Sequence, residues 1–257
     1  MKEERCAGCR KAACDGCGLA GTKEINTIKK KQISFPRDFF PEEGEGLGIA
    51  FDVGSTTLAG TLWDLHSRRQ LAAETELNPQ TAYGADIISR LAFCQKGKEY
   101  KDKLQRLLAE ALDRMARHMY LRRKEEASGQ EITRVTAVGN TAMCEILAGC
   151  SLKGMLEAPF FPDYKGSIRV KGETLGFSFL GKADVIILPA IGGYVGSDAL
   201  AVFTCVKAEA SGGNILAVDI GTNGELLLLG KERSYAASAA AGPALEGAAA
   251  ACGMRDT

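Results

Sequence analysis

The sequence predicts an α/β protein, and three observations carry this prediction. Two segments, Gly48–Gly60 and Ile215–Gly230, each place a short glycine- and hydroxyl-rich turn between apolar runs of strand length, which is typical of a β-hairpin. Apolar residues spaced three and four apart from Tyr100 to Glu126 predict an amphipathic helix. The β-branched run Ile132–Val138 then leads directly into a helical segment. Strands that alternate with helices in this way indicate an α/β fold.

Length and composition are those of a globular protein. The chain has 257 residues, of which 46% are hydrophobic, enough for a substantial core. Its 32 basic and 32 acidic residues balance, so the net charge does not favour nucleic acid or a membrane surface as a partner. No apolar stretch is long enough to span a bilayer, and the N-terminal residues lack the apolar core of a signal peptide. We therefore expect a cytoplasmic protein.

Four of the nine cysteines lie within the first 17 residues, in the pattern C-x2-C-x4-C-x2-C formed by Cys6, Cys9, Cys14 and Cys17. In a reducing compartment, such clustering indicates a metal site. The four-residue spacer is short for a zinc ribbon, whose two cysteine pairs lie ~15 to 20 residues apart. The spacing from Cys9 to Cys17 matches the local pattern of a plant-type ferredoxin loop, although Cys6 lies upstream of it rather than far downstream. We expect an iron–sulfur cluster, either 2Fe–2S or 4Fe–4S; zinc and a redox dithiol pair are the alternatives.

A polar segment separates these cysteines from the globular part of the chain. Residues 21–46 contain Pro36 and Pro41 and end in the acidic, glycine-rich sequence PEEGEG, which is typical of a linker. We expect the globular part to begin near Leu47.

Both hairpin turns are suited to bind phosphate beside a metal ion. Asp52 precedes the turn Gly54-Ser55-Thr56-Thr57, and Asp219 precedes the turn Gly221-Thr222-Asn223-Gly224. Glycine-rich turns expose backbone N–H groups to an anion, and an aspartate just before such a turn can hold a hydrated divalent cation. A single glycine-rich turn is most often purely structural. Two matched copies predict two half-sites that close on one nucleotide.

Three further polar residues lie where a predicted helix begins. Asn140 follows a strand, where it can either face an anionic ligand or cap the helix. Asp198 can cap its helix or point into a cleft, and the two roles are compatible. Asp86 is expected to complement the dipole of its helix. The aromatic turn Ala158–Asp163 is expected to face the core.

Five ordered segments together resemble the ATP-dependent reductive activators of corrinoid proteins: NPQTAYGADIISRL, VGNTAM, LPAIGGYVGSDALA, VDIGTNGELLLLG and AAGPALEGA. The two aspartate-containing turns also resemble the phosphate motifs of the acetate and sugar kinase, heat-shock protein 70 and actin (ASKHA) superfamily. The resemblance covers Leu47 to about Met254. It implies two ribonuclease H-like lobes and an ATPase site between them.

The resemblance also implies a division of the chain. It assigns residues 1–20 to an iron–sulfur segment, 21–46 to the linker, 47–205 to the first ATPase lobe and 206–257 to the start of the second. The family's ferredoxin domain is replaced here by the short cysteine segment. The adenosine-binding part expected after GPALEGA is missing, so we expect a fragment whose second lobe is truncated.

Residue roles follow from the same resemblance. Asp52 and Asp219 are expected to position Mg²⁺ through water, and Asp198 to orient a water molecule as the third catalytic carboxylate. The residues expected to contact the nucleotide are Gly54, Ser55, Thr56, Thr57, Asn140, Gly221, Thr222, Asn223 and Gly224.

The implied activity is ATP-dependent delivery of one low-potential electron from an iron–sulfur cluster to cob(II)alamin. The expected partners are a corrinoid protein or corrinoid-dependent methyltransferase and an upstream electron donor, and a homodimer is compatible with this interpretation. Two alternatives remain: an ATP-dependent activator of a 2-hydroxyacyl-CoA dehydratase-type enzyme, and a non-enzymatic zinc- and nucleotide-binding regulatory module.

Overall fold

A computed structural model describes residues 44–127, 129–158, 160–164, 166–209, 213–221, 223–231 and 233–240. These residues all lie within one compact unit. The four predicted metal ligands Cys6, Cys9, Cys14 and Cys17, the predicted phosphate contact Thr222 and most of the segment AAGPALEGA lie outside the described residues. The division of the chain at residues 20, 46 and 205 stays a prediction.

A six-stranded mixed sheet forms the centre of the first part of the chain. Its strands are β1 (Leu47–Val53), β2 (Thr57–Asp64), β3 (Arg69–Leu77), β4 (Ile132–Gly139), β5 (Ile168–Lys171) and β6 (Asp184–Ile187). Their spatial order is β3-β2-β1-β4-β6-β5. The central strands β1, β4 and β6 are parallel, whereas β2, β3 and β5 run antiparallel to their neighbours. Consequently, β1 and β4 end at the same edge of the sheet, and Val53 lies opposite Gly139 there.

In the described part of the chain, five α-helices accompany the strands: α1 (Ile87–Cys94), α2 (Lys98–Arg122), α3 (Thr141–Ala148), α4 (Lys153–Leu156) and α5 (Ser197–Glu209). The long helix α2 packs its apolar stripe, which includes Leu108, Leu112 and Met115, into the core that Ile49 and Phe51 of β1 help to form. Within the described ranges, no helix combines the length and the apolar character needed to cross a membrane.

A second sheet follows α5. It contains β7 (Ile215–Ile220), β8 (Asn223–Leu229) and β9 (Ser234–Ala240), paired antiparallel in that order. Leu227 and Leu229 of β8 form a small core with Ala199 and Phe203 of α5. Helix α5 therefore contacts both sheets, through β4 in the first and through β7 and β8 in the second.

The two predicted hairpins are confirmed, because β1 pairs with β2 and β7 with β8 around the glycine-rich turns. The helix predicted from Tyr100 to Glu126 begins two residues earlier and ends at Arg122, since Arg123 leaves helical geometry with φ −123°. Strand β3 was not predicted, because its sequence RQLAAETEL is rich in alanine and glutamate, which have low β-propensity. Pairing with β2 overrides that preference.

The aromatic turn was expected to face the core, and this expectation is wrong. Phe160 is 40% exposed and Phe161 is 49% exposed. Phe160 adopts the left-handed region with φ 57°. Its carbonyl oxygen, rather than its ring, packs against Gly193. The rings of both residues thus stay exposed, with Phe160 packed against the ring of Tyr194 at a centroid distance of 5.6 Å.

Candidate phosphate and metal site

The first glycine-rich turn connects β1 to β2 and is closed tightly. A Cβ atom at Gly54 would lie 2.3 Å from the carbonyl oxygen of Thr57, so only glycine fits. The Gly54 carbonyl oxygen accepts a hydrogen bond of 2.8 Å from Nδ2 of Asn78. Thr57 is the first residue of β2 and is exposed. The sequence therefore builds a fixed turn immediately after Asp52.

The second turn connects β7 to β8 in the same manner. The Gly221 N–H donates to the carbonyl oxygen of Asn223 over 3.0 Å, and Gly224 lies opposite Ile220 in the ladder. Asp219 lies on β7 directly opposite Glu225 of β8. This pairing places a second carboxylate beside the one that was predicted.

The first residues of α5 are locked onto the end of β4. The Ser197 hydroxyl is buried, accepts a hydrogen bond of 3.1 Å from the Gly139 N–H and is 3.2 Å from the Gly139 carbonyl oxygen. A Cβ atom at Gly196 would lie 2.3 Å from the same carbonyl oxygen. Because β1 ends beside β4, this close approach brings Asp198 near Asp52.

The charge of Asp219 acts on both other predicted catalytic carboxylates, Asp52 and Asp198. Partial burial among protein groups and, to a lesser extent, the charges of Asp198 and Asp219 together raise the pKa of Asp52 to about 6. Burial likewise raises the pKa of Asp198, although the hydrogen bond of 2.7 Å from the Ala199 N–H opposes this shift. Carboxylates that repel one another in this way favour a bound cation.

Glu225 belongs to the same group of charges and was not predicted as a site residue. Burial raises its pKa, and the charges of Asp198 and Asp219 add to the shift. Its Oε1 accepts a hydrogen bond of 3.2 Å from the Ser238 hydroxyl on β9. The signal was present in the sequence, since Glu225 directly follows the turn that Asp219 precedes. Only the strand pairing shows that its side chain shares the face of Asp219.

The carboxylates grouped around the two turns fit a hydrated magnesium ion. Carboxylate oxygens are the ligands that Mg²⁺ prefers, and Mg²⁺ commonly keeps several of its water ligands. Among the residues that the structure describes, no group of three or more histidine, cysteine, aspartate or glutamate side chains is arranged to hold a metal directly. The carboxylate oxygens of Asp52 and Asp219 are of the type that a hydrated Mg²⁺ ion binds.

A cavity of about 100 Å³ lies between the two turns, and Ser55, Asn140 and Asn223 all line it. Asn140 caps α3, since its Oδ1 accepts a hydrogen bond of 3.0 Å from the Met143 N–H. The two roles considered for Asn140 are thus compatible: it caps a helix and also faces the cavity. The other lining residues are Asp86, Ile87, Ile88, Thr141, Ala142, Met155, Gly193 and Tyr194.

Two buried polar residues hold the first turn by hydrogen bonds from the protein interior. Neither was predicted as a site residue. Asn78 and Arg90 are both fully buried, and each donates a hydrogen bond to a carbonyl oxygen of the turn. Both lie in the segment NPQTAYGADIISRL. For Arg90 the signal was a charged residue within the otherwise apolar stripe of α1, and for Asn78 it was a capping residue directly before Pro79.

Two family models match the chain in succession. The model described as the RACo middle region matches residues 47–210, and the model of the C-terminal domain of RACo, the ASKHA domain, matches residues 213–257.

Individual relatives agree with these matches. A corrinoid activation enzyme, RamQ, of Eubacterium limosum is 34% identical over 223 residues, which are 86% of this chain and 37% of the relative. A reductase of a methylated-amine-specific Co(II) corrinoid protein from Methanosarcina barkeri is 27% identical over 220 residues, covering 80% of this chain and 38% of that protein.

Among solved structures, a reductive activator for a corrinoid iron–sulfur protein superposes with a TM-score of 0.72 at 27% identity. The superposition covers 81% of this chain and 33% of the other. Together with the ASKHA domain match, it confirms the predicted fold class. The chain spans less than two fifths of the length of each curated relative.

Proposed function

The chain belongs to the family of reductive activators of corrinoid proteins, and we propose that it uses ATP to drive one-electron reduction of the corrinoid cobalt in a partner protein. An iron–sulfur cluster, held by Cys6, Cys9, Cys14 and Cys17, would supply the one electron that converts cob(II)alamin to cob(I)alamin, and an upstream donor would replace that electron.

The nucleotide site of this proposal is the space between the two turns. The N–H groups of the turns that contain Ser55 and Asn223 would bind phosphate oxygens, and Asp52 and Asp219 would hold Mg²⁺ through water. The raised pKa of Asp198 makes this carboxylate a stronger proton acceptor once it is ionised, which suits a role in orienting the attacking water. When bound, Mg²⁺ neutralises charge on the phosphates.

The single observation that carries the proposal is the convergence of Asp52, Asp198 and Asp219 between two phosphate-type turns. The cysteines Cys6, Cys9, Cys14 and Cys17 are the proposed cluster ligands, on the strength of their spacing. A cytoplasmic location and assembly as a homodimer are further parts of the proposal. Activation of a 2-hydroxyacyl-CoA dehydratase-type enzyme is not favoured, because both curated relatives are named for corrinoid proteins.

Experiments on the anaerobically purified protein test the iron–sulfur cluster and the nucleotide independently. We expect a brown protein that contains iron and sulfide, reduces a Co(II) corrinoid protein only with Mg-ATP and loses its colour in the Cys9→Ser/Cys14→Ser variant. Asp52→Ala and Asp219→Ala should abolish the ATP-dependent reduction while leaving the colour unchanged. The measurements are the visible spectrum, the metal content and the rate of cob(I)alamin formation.

Cys205→Ser is the matched control, because Cys205 is an exposed free cysteine on α5 and should contribute to neither cofactor. A colourless protein with stoichiometric zinc would contradict electron transfer and favour the regulatory-module alternative. Reduction that proceeds equally without nucleotide would contradict the role of ATP.

A further inference from the structure

Three consecutive carbonyl oxygens of the first turn are bound from the protein interior. The Gly54 carbonyl oxygen accepts from Nδ2 of Asn78 over 2.8 Å, and the Thr56 carbonyl oxygen accepts from the backbone N–H of the same Asn78, also over 2.8 Å. Between them, the Ser55 carbonyl oxygen accepts from Nη2 of Arg90. Two residues thus hold every carbonyl oxygen between Gly54 and Thr56.

This arrangement determines where the N–H groups of the turn point. In a planar trans peptide, the C=O and the following N–H lie on opposite sides of the chain. With the carbonyl oxygens of Gly54 and Ser55 directed to the interior, the N–H groups of Ser55 and Thr56 must face the opposite side. Ser55 also lines the cavity, where phosphate oxygens are proposed to bind.

Asn78 and Arg90 are themselves held in place by the surrounding structure. Oδ1 of Asn78 accepts a hydrogen bond of 2.9 Å from the Gln80 N–H, so Asn78 also caps the 3₁₀ turn Pro79–Tyr83. Nε of Arg90 donates to the Gly84 carbonyl oxygen over 2.9 Å. Arg90 lies on α1, which begins with a capping box between Asp86 and Ser89. Both donors are therefore fixed before any ligand arrives.

Arg90 is also a buried cation whose hydrogen-bond acceptors are neutral. Within the described residues these acceptors are the carbonyl oxygens of Gly84 and Ser55, Oε1 of Gln80 and the sulfur of Met143. Burial lowers the pKa of Arg90 to about 10, with the Asp86 charge opposing the shift, so the guanidinium stays charged at neutral pH. An anion on the far side of the turn would stabilise this charge, which is poorly hydrated in the folded protein.

We propose that Asn78 and Arg90 are positioning residues that hold the first turn with its N–H groups directed at the nucleotide phosphates. Neither residue touches the ligand in this arrangement, since both act through the carbonyl oxygens of the turn. This inference rests on the proposed ATP site and deepens it by naming what orders that site before binding.

The test compares Arg90→Lys and Asn78→Ala with the wild-type chain. Lysine keeps the positive charge but cannot bind the carbonyl oxygens of Gly84 and Ser55 with the same planar fork. We expect the Kd for Mg-ATP and for Mg-tripolyphosphate to rise at least tenfold in both variants, at a temperature well below the unfolding midpoint of each. Gln105→Ala is the control, because Gln105 also binds a carbonyl oxygen, that of Leu175, but lies away from the turn. It should lower stability without changing Kd.

A second readout needs no nucleotide. NMR order parameters of the Ser55 and Thr56 amides should be those of rigid backbone in the wild type, about 0.85, and fall below about 0.6 in the variants. Unchanged order parameters together with Kd values within twofold of wild type would overturn the positioning role alone. Failure of the wild-type chain to bind either phosphate ligand would overturn the proposed ATP site, and the phosphate role of Asn78 and Arg90 with it.

Discussion

At the scale of single residues, the central feature is Asp52, whose ionised form is disfavoured in the folded chain. Asp52 lies near the end of β1, where its side chain keeps contact with solvent, and Asp198 and Asp219 are nearby. Its ordinary pKa of 3.8 rises to about 6 in the folded chain. The folded state therefore binds this proton more tightly than the unfolded state does, and the resulting stabilisation is fully present below pH 3.8 and is lost as the pH rises through about 6.

Asp52→Asn should consequently stabilise the chain in the absence of Mg²⁺ at pH 8 but much less at pH 4, where the wild-type carboxyl is already protonated. Since the side chain keeps contact with solvent, we expect a rise of only about 1 to 3 °C in the unfolding midpoint at pH 8, corresponding to less than about 1 kcal/mol. Thermal unfolding followed by circular dichroism at the two pH values measures this difference.

Asp64→Asn is the control, because the pKa of Asp64 is shifted in the opposite direction from that of Asp52. Hydrogen bonds from the backbone N–H groups of Ser67 and His66 lower the pKa of Asp64, so its ionised form favours folding. Asp64→Asn should therefore not stabilise the chain at pH 8. An equal gain from Asp52→Asn at both pH values would contradict the assignment of a raised pKa to Asp52.

At the scale of secondary-structure elements, the site depends on how closely the start of α5 approaches the end of β4. Backbone contact between Gly196 and Gly139 leaves no room for a side chain, and the buried Ser197 hydroxyl holds the two elements together. This contact positions Asp198 beside Asp52, although the two residues come from distant parts of the sequence.

Gly196→Ala should displace α5, because the added Cβ would lie 2.3 Å from the Gly139 carbonyl oxygen and 2.4 Å from Cα of Asn140. We expect a loss of about 1 to 3 kcal/mol in the free energy of unfolding, as for other overpacked sites. We also expect at least tenfold weaker Mg-ATP binding. Denaturant unfolding and calorimetric titration measure the two effects.

Gly192→Ala is the matched control for this substitution. Gly192 lies four residues upstream in the same segment, and a Cβ atom there would meet no heavy atom within 4 Å. Its stability and Mg-ATP affinity should stay near those of the wild type. Similar losses in both variants would show that glycine flexibility, rather than close packing, matters in this segment.

At the scale of the whole molecule, the two sheets have cores of very different size. The first sheet contributes strands β1, β2, β4 and β6 to an extensive core with α2 and α3. The core of the second sheet contains only Ala199, Phe203, Leu227 and Leu229 as fully buried apolar residues among those described. The opposite face of this sheet exposes Leu216, Val218 and Ile220. Local stability should therefore be lower in the second sheet.

Hydrogen exchange followed by mass spectrometry should detect this difference. Amides of β1 and β4 should exchange at least tenfold more slowly than those of β7 and β9 in the ligand-free chain. Mg-ATP should slow exchange at both glycine-rich turns, because a ligand bound between them stabilises the arrangement in which they face each other. The edge strand β5, which lies apart from the site, is the internal control. Equal protection of both sheets, or a ligand effect confined to β5, would contradict this view.

Much of the fold could be predicted from local sequence. The hairpins around Gly54 and Gly221 and the buried stripe of α2 follow from turn chemistry and hydrophobic periodicity, which act over a few residues. The strand β3 and the outward-facing rings of Phe160 and Phe161 could not be predicted in this way. The neighbours of these segments, rather than their own composition, set their structure.

The sequence by itself determined the two candidate phosphate and magnesium motifs, because a glycine-rich turn preceded by Asp52 or Asp219 is a local pattern that can be recognised wherever the chain places it. Only the tertiary structure decided that Asp198, predicted through the family resemblance, lies beside Asp52, that Glu225 joins them, and that Asn78 and Arg90 hold the first turn from the protein interior. The physical reason is that these contacts depend on strand order and on the packing of α5 against β4. Both are set by interactions between residues far apart in the chain, which leave no local pattern.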